Sequence, residues 1–188
     1  TGPTPALLAT AIQGRSADAH ATDSIPKLPE QSSFETSHAQ RRLWILQQME
    51  PASAAYHIPL HQLLDGPLDR AALEQAIHAL VQRHESLRTT FSLEEGVAAQ
   101  VIHTASPFPL PLLDLSSLSS EARRQEAQRL ISEESRLPFD LEQGPLFRAR
   151  LLRLGAEEHI LLLSMHHIVS DGWSMGVLTR ELSALYAA

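Results

Sequence analysis

Two adjacent histidines, an aspartate and a glycine follow a short apolar run near the end of the chain. The run covers residues 160–163, and His166, His167, Asp171 and Gly172 come soon after it. A continuous apolar run of this length is typical of a buried strand. Loops at the ends of such strands often carry functional residues. The sequence therefore predicts an active site at this strand exit.

Only one of the two imidazoles can face a substrate, because consecutive residues in an extended segment point to opposite sides. A neutral imidazole can accept a proton from an attacking nucleophile, and its orientation needs a partner on its second nitrogen. Asp171 is the nearest candidate partner, although it could equally pin the loop through an arginine. Gly172 allows a positive φ and a close approach of ligand to backbone. We expect one reactive and one structural histidine.

Other interpretations of the same residues remain open at this point. They could be polar loop residues whose side chains form a satisfied network without chemistry. A metal site is disfavoured, because there is no His-Glu-x-x-His helix and neighbours on opposite faces chelate poorly. A Ser-His-Asp hydrolase would need Ser164, Ser170 or Ser174 as nucleophile, but the Gly-x-Ser-x-Gly elbow is absent. Nucleotide-binding glycine motifs are absent too.

Composition narrows the class of protein. A length of 188 residues predicts one domain, and the net charge of -7 argues against a nucleic-acid groove. The chain has no cysteine, so a disulfide framework and a cysteine nucleophile are excluded. No apolar stretch approaches the ~18 residues of a membrane span, and no signal peptide is recognisable. We expect a cytoplasmic protein that binds neither nucleic acid nor membrane.

The folded domain is predicted to begin near residue 34. Helical spacing over 3–13 predicts a short helix, and the composition of 14–33 is that of a linker. Ser37 and Gln40 have the form of a capping box, so a helix should start there and run to about residue 48.

Apolar spacing predicts the elements that position the site. They are, in order, a strand near 58–64, a helix capped by Asp69, an extended segment over 87–93 that forms a hairpin with 97–101, a loop over 106–118, a helix capped by Ser120, strands over 145–154 and 159–165, and a final helix ending at Leu185. Within 145–154, Phe147, Ala149 and Leu151 should share one face opposite Arg148 and Arg150. This alternation predicts an α+β fold, a two-layer α/β sandwich.

Three motifs in order resemble those of one enzyme family. Residues 37–46 read SHAQRRLWIL, residues 83–91 read RHESLRTTF, and residues 165–174 read MHHIVSDGWS. Together they resemble the first three core motifs of a condensation domain of nonribosomal peptide synthetases, the third being the His-His-x-x-x-Asp-Gly signature. The chain therefore resembles the N-terminal half of such a domain.

The resemblance implies a chloramphenicol-acetyltransferase-like lobe, half of a V-shaped two-lobe condensation domain with the active-site tunnel between the lobes. Residues 34–188 would form the N-terminal lobe, and the C-terminal lobe would be absent from this chain. Residues 1–33 would be a short helix and an interdomain linker, the helix being similar to the last helix of an upstream carrier domain.

The resemblance also assigns roles to individual residues. It implies that His167 is the catalytic residue, beside the acceptor amine and the thioester carbonyl. Residues with structural roles at the active site would be His166, Asp171, Gly172, Arg83 and Arg88, with Asp171 bound to an arginine that could belong to the second lobe. Ser170, Trp173 and Ser174 would line the substrate tunnel, and no metal is implied.

The implied reaction is peptide (amide) bond formation between two carrier-bound thioesters. No cofactor would bind directly, because upstream donor and downstream acceptor carrier domains deliver phosphopantetheine arms. The histidine pair and the glycine resemble the subtype that joins an L-configured donor to an L-configured acceptor. We expect the lobe alone to be inactive. The alternatives are a non-catalytic carrier-binding module and another acyltransferase with this signature that uses coenzyme A thioesters.

Overall fold

A computed structural model describes Thr4, Pro29, Gln31 and residues 33–94 and 96–188. The chain divides into two compact units, residues 1–31 and 32–188. The predicted helix over 3–13 and almost all of the predicted linker lie outside the described residues. Every element given below belongs to the second unit.

Seven strands and four α-helices follow one another in these described residues. They are β1 (Ser33–Glu35), α1 (His38–Met49), β2 (His57–Asp65), α2 (Arg70–Arg83), a 3-10 helix (Glu85–Arg88), β3 (Thr89–Glu94), β4 (Val97–Ile102), β5 (Leu112–Asp114), α3 (Ser120–Arg136), β6 (Phe147–Arg153), β7 (Glu158–His166) and α4 (Gly172–Tyr186). The α+β class is confirmed.

The strands form two sheets. Three strands lie in the order β1-β4-β3, and four lie in the order β2-β7-β6-β5. In the larger sheet β7 is central and pairs antiparallel with both β2 and β6, whereas β5 pairs parallel with β6. The strand that leads into the histidine pair is therefore held on both edges.

Helices cover both faces of the larger sheet. On one face, apolar residues of α2 and α4 pack against Phe147 and Leu151 of β6 and Leu161 of β7. On the other face, Leu130 of α3 packs against Leu152 and Leu162. Alternate residues of β6 and β7 thus enter two separate cores, as the period of two in the sequence requires.

Helix starts follow local capping chemistry. The predicted capping box is present: Gln40 N–H donates to the Ser37 hydroxyl at 3.2 Å, and Ser37 N–H donates to the Gln40 side chain at 2.8 Å. The cap of α3 is Ser119 rather than Ser120, because it is the Ser119 hydroxyl that accepts from Ala122 N–H. Two neighbouring serines satisfy the same pattern, and only the backbone turn separates them.

Three short segments differ from the sequence prediction. Ser33, placed in the linker, begins β1. The segment over 87–93 starts within the 3-10 helix and becomes a strand only at Thr89. The predicted loop over 106–118 contains β5, which is stabilised by pairing with β6. Strands of three residues carry too little periodicity to be recognised, since their hydrogen-bond partners lie far along the chain.

Candidate active site

The two histidines of the signature lie in different environments. His166 is the last residue of β7 and has no exposed surface, whereas the next residue, His167, is exposed. The chain turns directly after the strand, because Val169 N–H donates to the His166 carbonyl at 3.1 Å. The sheet therefore buries one imidazole and presents the other.

A backbone carbonyl orients the ring of His167. Its Nδ1 lies 2.8 Å from the carbonyl oxygen of Ser170. A carbonyl only accepts hydrogen bonds, so Nδ1 carries the proton and Nε2 of the neutral ring carries the lone pair. The expected partner, Asp171, does not fill this role among the described residues, because the turn brings the Ser170 carbonyl beneath the ring instead. The geometry leaves Nε2 as the basic nitrogen.

His166 anchors the turn from inside the protein. Its Nδ1 accepts the N–H of Ile168 at 3.1 Å, and its carbonyl accepts the Ser170 hydroxyl at 3.3 Å. Burial, and then the neighbouring His57 and His167, lower the pKa of His166 to about 4. The buried ring is therefore neutral at physiological pH.

Asp171 caps the helix that follows the signature. Its carboxylate accepts the backbone N–H of Ser174 at 2.8 Å and the hydroxyl of the same residue at 2.6 Å. These hydrogen bonds, the hydroxyl first, lower the pKa of Asp171. Among the described residues no arginine forms an ion pair with it, so the arginine implied by the resemblance stays a prediction.

Gly172 does not use the positive φ that the sequence allowed. It is the first residue of α4, and its φ lies outside the left-handed region. The first turn of a right-handed helix requires ordinary helical dihedral angles. A Cβ placed there would meet no atom of the described residues within 4 Å. The glycine leaves open space beside the signature.

Arg83 and Arg88 hold neighbouring elements together. Arg83, at the end of α2, lies 3.2 Å from the Glu181 carboxylate of α4, and His84 Nε2 lies 2.8 Å from the same oxygen. Arg88 donates to the backbone carbonyl of His103 at the end of the β3–β4 hairpin. These contacts are with scaffold elements, and none of them is with His167.

The three residues predicted to line a tunnel meet in one small pocket. Ser170 is buried, Trp173 is 82% exposed, and both line a cavity of about 130 Å³ together with Ser174. His84 and Ser86 close its other side, and His167 is not among its lining residues. A larger pocket of about 530 Å³ lies at the start of β6 and contains no residue of the signature.

Two aromatic residues beside His166 were not predicted as part of the site. His57 is its cross-strand partner, with ring centroids 6.1 Å apart, and Phe139 packs edge-on against both rings. A histidine at the start of a strand gives no local signal of function, and only the register of β2 against β7 shows what it opposes.

Metal-binding clusters and membrane-spanning helices are both absent from the described residues. Across 33–94 and 96–188, no three histidine, aspartate or glutamate side chains converge as a metal site. No helix in the described part of the chain is long and apolar enough to cross a membrane.

Fold and site together define a class. An α/β lobe that presents an exposed, singly protonated imidazole at the exit of its central strand, with the signature aspartate capping the next helix, is the arrangement of an acyltransferase lobe. The family model described as "Condensation domain" matches residues 30–188. The chain belongs to the condensation domain family.

Curated relatives of the chain are large synthetases. It is 49% identical to chondramide synthase cmdD of Chondromyces crocatus over 94% of its length, and 46% identical to a linear gramicidin synthase of Brevibacillus parabrevis over 87%. The matched regions are 4% and 2% of those two proteins. The chain thus corresponds to a small part of each relative.

Solved condensation domains share the fold. The starter condensation domain of rhizomide synthetase RzmA superposes with a TM-score of 0.77 at 26% identity, covering 84% of this chain and 39% of that one. The first condensation domain of the CDA synthetase gives a TM-score of 0.73 at 29% identity, covering 84% and 40%. These likenesses confirm the chloramphenicol-acetyltransferase-like lobe.

Proposed function

We propose that this chain is part of a nonribosomal peptide synthetase condensation domain that joins a carrier-bound donor to a carrier-bound acceptor. In this reaction the acceptor α-amine attacks the carbonyl carbon of the donor acyl or peptidyl thioester. The C–N bond forms, the C–S bond breaks, and the amine proton ends on the departing thiolate. The observation that carries the proposal is the Nδ1–Ser170 hydrogen bond, because it leaves His167 Nε2 unprotonated at the surface.

His167 positions the amine and takes its proton as the tetrahedral intermediate forms. An α-amino group has a pKa of about 8, so a neutral amine can attack before it loses a proton. General-base assistance of this kind contributes roughly 10²–10⁴-fold, and orientation of the amine adds to it. The Ser170 carbonyl favours the protonated ring that results, since it keeps accepting from Nδ1–H.

The remaining machinery lies outside this chain in our proposal. A second lobe supplies the other wall of the tunnel, and upstream and downstream carrier domains deliver the substrates on phosphopantetheine arms. The chain covers about two-fifths of the solved condensation domains, which supports this division. We infer that the lobe alone is inactive, because a site without its second wall is open to solvent. The L-donor, L-acceptor subtype and the cytoplasmic location likewise stay predictions from the sequence.

A single-turnover assay with the synthetase that contains this chain tests the proposal. Donor-loaded and acceptor-loaded carriers are mixed, and the rate of amide formation is measured for wild type and for His167→Ala. We expect the rate to fall at least about 100-fold in the variant. His61→Ala is the matched control, since His61 is an exposed histidine on β2 outside the signature. A His167→Ala protein as fast as wild type would refute the proposal.

The same assay separates the alternatives. Replacing the donor carrier by an acyl-coenzyme A thioester should abolish transfer if carriers are the true donors. Equal rates with both donors would favour the coenzyme A-dependent acyltransferase. Carrier binding without product, in a synthetase whose substrates are correctly loaded, would favour the docking module.

A further inference from the structure

His57 and His166 face each other across β2 and β7. They occupy opposed positions in the antiparallel register. The N–H of His166 donates away from β2, to the Leu146 carbonyl at 3.1 Å, and the next residue, His167, donates to Tyr56. The His57–His166 pair is therefore of the non-hydrogen-bonded kind, in which side chains come closest. Their ring centroids are 6.1 Å apart.

The position of the proton on His57 follows from its contact with α3. Its Nδ1 lies 3.2 Å from the carbonyl oxygen of Ser135. Because a carbonyl only accepts, Nδ1 is the protonated nitrogen and Nε2 is an acceptor. That Nε2 is buried and has no hydrogen-bond partner among the described residues.

His166 has the opposite polarity on the same side of the sheet. Its Nδ1 accepts from Ile168 N–H, so the proton of the neutral ring must be on Nε2. This Nε2–H is buried as well and finds no acceptor in the part of the chain that the structure describes. Two neighbouring rings thus offer one unpaired donor and one unpaired acceptor.

The surroundings keep both rings neutral and in place. Phe139 packs edge-on against His57 at 4.9 Å and against His166 at 6.0 Å between centroids. The Arg148 guanidinium lies 3.7 Å above the Phe139 ring. Burial first, and the charge of Arg148 among the lesser causes, lower the pKa of His57.

We propose that His57 is a positioning residue for His167, acting through His166 and one buried water that joins the two Nε2 atoms. The water accepts from His166 Nε2–H and donates to His57 Nε2, as buried waters commonly do for unpaired polar groups. His166 is thereby held in the form whose Nδ1 accepts Ile168 N–H. That bond sets the turn in which the Ser170 carbonyl meets His167 Nδ1. The inference rests on the proposed function of His167.

Three substitutions of His57 separate this role from simple packing. His57→Phe keeps the ring volume without polar atoms. His57→Asn retains a donor near the Nδ1 position, whereas His57→Gln places an amide oxygen near the Nε2 position. In the single-turnover assay of the complete synthetase, the maximal rate should fall about 10-fold in the Phe and Asn variants. The Gln variant should stay within about threefold of wild type, and KM should change little in all three.

His159→Phe is the matched control. His159 is also a buried histidine of β7 with an unpaired Nδ1 in the described structure, but it lies at the opposite end of the strand, paired with Leu64. We expect it to lower the melting temperature without changing the maximal rate. Equal rate losses in His57→Phe and His159→Phe would overturn the proposal. A rate in His57→Asn as high as in His57→Gln would overturn it as well.

A crystal structure of the complete condensation domain at high resolution gives an independent readout. We expect a water within hydrogen-bond distance of Nε2 of both His57 and His166, lost in His57→Phe. Two nitrogens without a shared water would refute the bridge. This readout holds even if His57→Phe does not fold. Because it does not depend on His167, it also separates failure of this inference from failure of the proposed function, which His167→Ala tests alone.

Discussion

The carbonyl oxygen of Ser170 lies 2.8 Å from Nδ1 of His167, three residues earlier in the same turn. One backbone group thus decides which ring nitrogen can act as a base. The contact needs no side chain other than the imidazole itself, and the turn that creates it is held by buried His166. Geometry and chemistry at this position can therefore be separated by substitution.

His167→Asn should separate the turn contact from the chemistry. The Asn amide can still donate to the Ser170 carbonyl, but it offers no basic nitrogen at the Nε2 position. We expect a melting temperature within a few degrees of wild type and a condensation rate at least about 100-fold lower. Thermal melts and single-turnover assays measure the two effects. A variant that melts normally and reacts at the wild-type rate would show that the Nε2 lone pair is not used.

Asp171 can be tested for its helix cap and for any other role. Asp171→Ala removes the acceptor for Ser174 N–H and should lower the melting temperature, because an uncapped helix start is less stable. Asp171→Ser restores a capping hydroxyl and should restore the melting temperature. If Asp171 also binds an arginine of the second lobe, the Ser variant stays slow in the condensation assay. Wild-type activity in the Ser variant would leave capping as the whole role.

Glu134 should be the acid on which the fold depends most. It is buried on α3, with one carboxylate oxygen 2.9 Å from Arg148 Nε and the other 3.6 Å from Arg150. Glu134→Ala leaves these guanidinium groups without their buried partner, which should cost about 3 kcal/mol of the free energy of unfolding.

The neighbouring Glu133 provides the control for Glu134. It pairs with Arg129 at 2.7 Å on the exposed side of the same helix. Urea denaturation should show little change for Glu133→Ala, since exposed ion pairs contribute little. Equal losses in the two variants would mean that burial of the Glu134 carboxylate is unimportant.

Stability should fall as the pH drops through the range where His166 differs between folded and unfolded states. Its folded pKa is about 4, below the usual histidine pKa of 6.5, so the unfolded chain binds a proton first. The stability lost between about pH 6.5 and pH 4 should be on the order of 2–3 kcal/mol and should level off below pH 4.

His166→Asn isolates this contribution. The Asn side chain keeps an acceptor for Ile168 N–H but does not titrate, while His57 is present in both proteins and cancels in the comparison. Urea denaturation from about pH 7.5 to about pH 4 should show a smaller loss of stability in the variant. Parallel curves for the two proteins would contradict the low pKa of His166.

Strand β6 shows how far local patterns reach. The alternation over 145–154 predicted one apolar and one cationic face, and the structure has Phe147 and Leu151 against α2 and α4 while Arg148 and Arg150 meet Glu134 on the other side. A period of two directly states which side chains share a face. Strand β5 escaped prediction because its three residues are ordered by pairing with β6 rather than by their own pattern.

By itself, the sequence determined the order of the major helices and strands, the faces of the strands and the family, because each depends on spacings within one short stretch. Only the tertiary structure decided that a backbone carbonyl, and not Asp171, orients His167, and that His57 lies opposite His166. Those relationships depend on a backbone turn and on the register of two distant strands. Pairing of distant strands is selected by the packing of the whole sheet, which no local pattern encodes.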